Sequence, residues 1–456
     1  MAPVATLTPP RELLIRAAAL YVPMAITALL WTWRRPDRRL AAAALLGCAW
    51  NVSALLAVNA AAIAFGWWRF TAADGVFAGM PVDLYLGWIL LWGAAPILAW
   101  PAPRLPAAIA ALVAIDLAVM PACAPVVALG PRWLIGEAAA VAIALAPSLC
   151  LAAWTASGRH IAWRAALQAV AFTGLMLYAI PSAVFAQIGG TWHTLLGRSL
   201  PWTNAWAQLL AVPAVIGLSA VQEFAMRGGG TPLPFDPPAR LVVTGPYAYV
   251  ANPMQLSMSL VLVVWAAMLG SWWIAAGVVV AVAYSAGLAA WHEDEELAAR
   301  YGAAWTDYRR RVRRWRPRWR PADRPLPDRL YVAQSCGICR DVGHWLLARG
   351  PIGVDIVAAE TFPGRDLRRI TYVSSVDGHE DEGVAAVART LERANLAWAW
   401  LGMLIRLPIV RPFLQLVVDA SGGQPRSCRS SGLLFLSRRS ETRHAAPATS
   451  TRYRRY

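Results

Sequence analysis

The chain has 456 residues, 58% of them hydrophobic and only 15% charged, with a mean hydropathy of +0.45. That balance excludes an ordinary soluble globular protein and makes lipid the main solvent. The formal charge of +16 comes from 42 basic residues, all of them arginine, against 26 acidic ones. The basic excess suits an anionic leaflet, whereas nucleic-acid binding would need a soluble aromatic or base-reading platform that is not visible here. No nucleic-acid partner is expected.

A spanning helix needs roughly 20 mostly apolar residues. That criterion predicts spans near 13–33, 41–65, 82–100, 106–128, 133–156, 163–187 and 203–226, then two shorter ones, 254–269 and 271–290, joined at Gly270-Ser271 as a helical hairpin. The first apolar stretch begins near Leu13, has no clear small-residue cleavage site and runs into Arg34, Arg35, Arg38 and Arg39, so it reads as a retained helix and not a signal. About nine spans result. The loops at 34–39, around Arg104, at 159–164 and at 227–240 then share one side, which the positive-inside rule makes the cytoplasm. The expected location is the cell membrane, with the N-terminus outside and everything after residue 291 cytoplasmic.

After Trp319 the prolines Pro321, Pro325 and Pro327 suggest a stiff linker over 321–329. A small α/β unit is predicted next: strands at Leu330–Ala333, Val354–Ala358 and Ile370–Ser374, and helices at Cys339–Leu347 and Gly383–Arg393. The segment 396–418 is apolar but interrupted at Pro408 and Pro412, which suits buried or interfacial helices better than a further span. From Ser427 the chain is Ser/Arg-rich with little periodicity, and a disordered basic tail over 427–456 is expected. Cys48, Cys123 and Cys150 fall within predicted helices and read as packing residues.

The stretch with most chemical content opens at Gly228-Gly229-Gly230-Thr231-Pro232 and continues through Gly245-Pro246-Tyr247, then Ala251-Asn252-Pro253-Met254. Glycine and proline at this density forbid a continuous helix, and non-helical backbone at a membrane is tolerated where it lines a cavity or the interface. The hairpin follows, then His292-Glu293-Asp294-Glu295-Glu296, Tyr301-Gly302, Tyr308 and an arginine run.

Taken as a set, these elements resemble the isoprenylcysteine carboxyl methyltransferase and phospholipid methyltransferase superfamily, closely over 228–320 and loosely over 161–320; helices before residue 160 have no counterpart in it. The resemblance implies an S-adenosylmethionine pocket shaped by Gly245, Pro246, Tyr247, Asn252 and Pro253, with Glu293 and Asp294 in the family's acidic-pair positions and a lipophilic methyl acceptor arriving from the bilayer. Carboxylates can pair with the cofactor's cations or accept from its ribose, and an Asn side chain can both donate and accept. His292, beside the acidic cluster, is the candidate proton acceptor. The sequence departs from the family pattern at Ala251, where Arg is usual, at Gln255, where Tyr is usual, and at Ala290, which leaves no Arg ahead of the acidic pair.

Cys336-Gly337-Ile338-Cys339 follows a predicted strand and opens a predicted helix, the setting in which a helix N-terminus activates the first thiol. Cys336 would attack and Cys339 resolve. With Tyr331, Arg340, Asp377-Gly378 and Pro408, the segment 330–426 resembles the DCC family of thioredoxin-like thiol-disulfide oxidoreductases, although Ala333-Gln334-Ser335 replaces its usual acidic triplet. A cytoplasmic thiol partner would follow. No metal is expected: zinc needs four ligands, there is no second Cys-x-x-Cys, and His344 and His379 lack suitable spacing.

The expected protein is thus an α-helical polytopic membrane protein carrying a small thioredoxin-like α/β domain. Its leading function is methyl transfer to a lipid-soluble or lipidated acceptor, and its alternative is thiol-disulfide exchange at Cys336 and Cys339.

Overall fold

A computed structural model describes residues 10–100, 104–232 and 236–424, apart from the side chains of 10, 194, 196, 284–286 and 288–293. The expected tail over 427–456 and Cys428 lie outside the described residues.

Among the described residues seven helices are long and apolar enough to cross a membrane: α1 (Pro10–Arg34), α2 (Arg38–Phe65), α3 (Val82–Ala99), α4 (Leu105–Cys123), α5 (Trp133–Ser157), α6 (Ile161–Ile188) and α7 (Leu200–Gly228). The expectation of about nine is corrected on length. The hairpin helices α8 (Pro253–Leu269) and α9 (Trp272–Ala286) have 17 and 15 residues, and the second ends at Gly287, short of residue 290.

The hairpin turn is chemically specified. Gly270 closes α8 at φ +64°, which L side chains rarely adopt, and Ser271 caps α9 by accepting the Ile274 N–H.

α2 runs through the middle of the N-terminal bundle, and Asp37 starts it by accepting the Leu40 N–H at 2.8 Å. Buried alanines let its neighbours approach closely, as Ala43, Ala44 and Ala152 do. Small residues serve this purpose between membrane helices, where lipid tails remove the hydrophobic drive to associate. A polar pin crosses the bundle: Asn51 Nδ2 on α2 donates to Ser148 Oγ on α5 at 3.0 Å, and Ser148 Oγ donates to the Trp92 carbonyl on α3 at 2.9 Å. Each such bond satisfies a group that hydrocarbon cannot.

After α9 come α10 (Leu288–Tyr301) and α11 (Ala303–Arg311). The C-terminal unit contains β1 (Asp328–Val332), α12 (Gly337–Leu347), β2 (Val354–Ala358), β3 (Thr371–Val373), β4 (Glu380–Glu382), α13 (Val384–Leu391), α14 (Leu396–Arg406) and α15 (Val410–Val418). Its sheet order is β2-β1-β3-β4. β1 and β2 are parallel, with α12 as crossover, while β3 lies antiparallel to β1 with Leu330 opposite Tyr372, and β4 antiparallel to β3. The core is Leu330, Val332, Leu346, Tyr372, Ala386 and Leu391.

Two details differ from expectation. The acidic strand β4 carries no apolar alternation and was not predicted. In 396–418 the break comes at Pro408 alone, because Pro412 occupies the first turn of α15, where a missing N–H costs nothing.

Candidate functional site

Between α7 and α8 the described backbone, residues 229–232 and 236–252, runs irregularly apart from one 3-10 turn at Gly245–Ala248. The loop is pinned along its length. The Asp236 carboxylate pairs with Arg39 at 3.0 Å and with the buried Arg164 of α6; the Ala239 N–H donates to the Gly228 carbonyl at 2.8 Å; and the Tyr301 hydroxyl donates to the Pro238 carbonyl. Gly245 has φ +56°, and a Cβ there would stand 2.8 Å from Glu223 Cγ, so both backbone and space require glycine. Gly245, Pro246 and Tyr247 are buried.

The chain returns beside this loop after α11. Ala251 and Asn252 donate their N–H groups to the carbonyls of Arg313 (2.9 Å) and Arg314 (3.2 Å), Arg318 donates to Tyr249 at 3.0 Å, and Ala322 donates to Ala248 at 2.9 Å. The Tyr308 hydroxyl donates to the Tyr247 carbonyl at 2.9 Å, and burial pushes that phenol far above its ordinary pKa, so it acts as a neutral donor. The 321–329 segment, expected as a linker, is therefore packed against the loop from its first residues.

Asn252 precedes α8, whose first residue is Pro253, and its Nδ2 donates to Gln255 Oε1 at 3.0 Å. Asp294 lies on α10, where its Oδ2 pairs with Arg314, the residue whose carbonyl receives the Asn252 N–H. Asp294 Oδ1 is buried and accepts no hydrogen bond among the described residues, and neighbouring Trp315 Nε1 is likewise buried without a described acceptor. Gly245, Pro246, Tyr247, Asn252, Pro253 and Asp294 thus share one loop-and-return assembly. His292 and Glu293 are on α10 as well, with side chains outside the description.

A different set of charged residues escaped the sequence reading. Glu223, on the last α turn of α7 and fully buried, accepts from the Thr244 hydroxyl, pairs with Arg389 at 2.8 Å and pairs with Arg406. Arg389 also reaches Asp381 at 3.0 Å and Glu392 at 3.1 Å; Arg406 reaches Glu392 at 2.7 Å; and Arg227 pairs with Asp377 and Asp381. Burial alone would discharge Arg389, but the surrounding carboxylates, Glu223 first, hold it protonated. The Tyr249 hydroxyl adds a bond to the Glu392 carbonyl at 2.9 Å. The C-terminal unit is thereby clamped to the loop's underside. One signal was available: Glu223 is an acidic residue within an apolar span, where ionisable groups are costly and have partners.

A cavity of about 200 Å³ lies on this seam, lined by Val243, Tyr308, Arg311, Asp323, Leu326 and Ser375. It is smaller than the roughly 300 Å³ of the smallest ordinary ligand pockets.

Cys336 and Cys339 lie away from the loop. Cys336 caps α12, its Sγ accepting the Cys339 N–H at 3.4 Å. The turn before Cys336 is held by Glu360, whose Oε1 accepts from the N–H of Gln334 (3.0 Å), the N–H of Ser335 (3.1 Å) and the Ser335 hydroxyl (3.0 Å). Among the described residues no group of three His, Cys, Asp or Glu side chains could hold a metal ion.

The phospholipid methyltransferase family model matches residues 206–304, which run from within α7 through the loop and hairpin to the start of α11. No curated protein and no solved structure matches the chain. The matched segment contains every residue of the loop assembly up to Asp294, and it supports a membrane methyltransferase of this superfamily.

Proposed function

We propose that residues 161–320 form an S-adenosylmethionine-dependent methyltransferase whose acceptor is a lipid-soluble or lipidated molecule, as in isoprenylcysteine carboxyl methyl transfer. The observation carrying this reading is the arrangement around Arg314, which ties the Asn252 backbone and the Asp294 carboxylate into one assembly, while Oδ1 of the half-exposed Asp294 side chain is buried and accepts no hydrogen bond among the described residues. A buried carboxylate oxygen of that kind suits an ammonium or a ribose hydroxyl, so the donor set fits the cofactor.

When bound, S-adenosylmethionine supplies a methyl group already activated by its sulfonium, so the protein needs no covalent nucleophile. Its own residues orient and dehydrate. Gly245, Pro246 and Tyr247 form a rigid wall, Asn252 and Pro253 fix the start of α8, and Asp294 and Glu293 offer carboxylates. His292 is the group on α10 that can take up or hold a proton at the acceptor. A polar cofactor reaches this assembly from the cytoplasm and a greasy acceptor reaches it between α8 and lipid, with the N-terminus outside and the enzyme in the cell membrane.

Calorimetric titration of S-adenosylmethionine into the detergent-purified protein tests this. Micromolar binding in the wild type, weakened by Asp294→Asn and Asn252→Ala and unchanged by Cys336→Ser, is the expected pattern; undiminished binding in both Asp294→Asn and Asn252→Ala refutes the residue assignment.

A second reading, thiol-disulfide exchange at a thioredoxin-like unit over 330–426, draws support from Cys336 capping α12 directly after β1 and from the parallel β1-α12-β2 crossover. It predicts rapid alkylation of Cys336 in the native protein and a cytoplasmic thiol partner, and failure to alkylate it removes the reading.

A further inference from the structure

The C-terminal unit ends in two helices that meet at a 90° bend around Pro408. The first, α14, lies on a membrane span. Trp400 Nε1 donates to the Val212 carbonyl of α7 at 2.9 Å, and Ala399 and Met403 pack with Val215. The depth of this contact follows from its neighbour, because the Pro213 carbonyl accepts the hydroxyl of Ser257, which is one turn inside α8. Trp400 thus reaches below the level where the hairpin begins, against the thirteenth of the 29 residues of α7, so α14 is seated on the membrane-crossing part of that span.

The second helix, α15, has two unlike faces. One is seated on its own unit: Gln415 Oε1 accepts the Val384 N–H at 3.0 Å, and Asp419 pairs with Arg369. The other carries Ile409, Phe413 and Leu416, spaced i, i+4, i+7 on one stripe and 86%, 64% and 68% exposed. Arg411 is exposed beside them. Three large apolar side chains thus stand exposed on one stripe of a helix that directly follows one packed on a span.

We infer that the occupant of this face is the bilayer: α15 lies in the membrane interface with Ile409, Phe413 and Leu416 among the acyl chains, and the C-terminal unit is a membrane-seated body and not a tethered soluble domain. The inference needs only that α7 and α8 are in the membrane and stands independently of methyl transfer.

The test uses the full chain in vesicles of phosphatidylethanolamine and phosphatidylglycerol, with p-benzoylphenylalanine in place of Phe413, of the exposed hairpin residue Val279, or of the exposed sheet-side residue Arg365. After illumination, mass spectrometry of the labelled peptides is expected to find lipid adducts at 413 and 279 and none at 365. Adducts at 279 without any at 413 overturn the inference, as does a cross-link from 413 to a second copy of the chain.

Discussion

Replacing Arg389 by Met removes the cation that three buried carboxylates share. The guanidinium lies 2.8 Å from Glu223, 3.0 Å from Asp381 and 3.1 Å from Glu392, and all four side chains are buried. Removing one partner from a buried ionic set costs about 3–5 kcal/mol, because the charges left behind are unsolvated. Arg406 still serves Glu223 and Glu392, and Arg227 still serves Asp381, so the lower end applies, about 3 kcal/mol. At about 1.4 kcal/mol per decade, the population in which the C-terminal unit has left the loop rises roughly a hundredfold. Limited proteolysis of the intact protein reads this directly, since cleavage follows the open population when reclosing is fast; the expected scissile region is Trp319–Ala322, whose carbonyls lose the Leu396 and Arg393 donors on undocking. Glu223→Gln in the same chain removes one of the carboxylates left in excess over the remaining cations, and the double variant is expected to recover at least about 1.5 kcal/mol of coupling. A cleavage rate in Arg389→Met within about twofold of wild type, or a double variant less stable than Arg389→Met alone, refutes the argument.

Gly245→Ala forces a side chain into a left-handed position at a cost of about 1–2 kcal/mol and pushes it onto Glu223, so S-adenosylmethionine affinity is expected to fall at least tenfold by calorimetry. Tyr308→Phe strands the Tyr247 carbonyl in a buried place and should destabilise the loop by about 1–3 kcal/mol, seen as a lower midpoint of thermal unfolding. Burial, then the nearby Arg227, holds the His379 pKa below its ordinary 6.5. The neutral ring's contribution is therefore complete above pH 6.5 and is lost as pH falls through that value towards the lower folded one; proteolytic release of the C-terminal unit should quicken from pH 7 to pH 5, and His379→Asn should flatten that profile.

Membrane helices were legible because their signal is local. Twenty apolar residues declare a span wherever they occur, and the Gly270-Ser271 turn announces a hairpin through φ and capping chemistry confined to two positions. The hairpin's shortness was hidden by the same reasoning, since apolar composition continues past Ala286 while the helix does not, the chain turning at Gly287. β4 was invisible for a related reason: Glu380–Glu382 pairs through its backbone with β3, while its carboxylates go to arginines outside the strand, Asp381 to the buried Arg389, so no apolar alternation marks it.

At the site, Gly245, Pro246, Tyr247, Asn252, Pro253 and Asp294, which spacing within one segment could single out, lie in one assembly, but what holds that assembly closed is remote in sequence. Arg406 meets Glu223 across 183 positions, and Arg227 meets Asp377 across 150. No local pattern distinguishes these arginines from the many others in the chain. Their role follows from burial: a carboxylate sealed at the end of α7 must find cations, and the nearest come from the unit that the proline-rich stretch seemed to set apart. Pro321 and Ala322, instead of spacing two domains, lie against Ala248, and the Arg393 guanidinium donates to the Ala322 carbonyl at 3.2 Å. A loop rigid enough to orient two reactants needs support on both faces; α10 and the 313–322 return provide one and the C-terminal unit the other. Deleting residues after 327 should therefore unfasten Gly245–Tyr247 and abolish S-adenosylmethionine binding in a chain whose seven spans still insert, whereas a C-terminal unit serving thiol exchange alone would leave that binding intact.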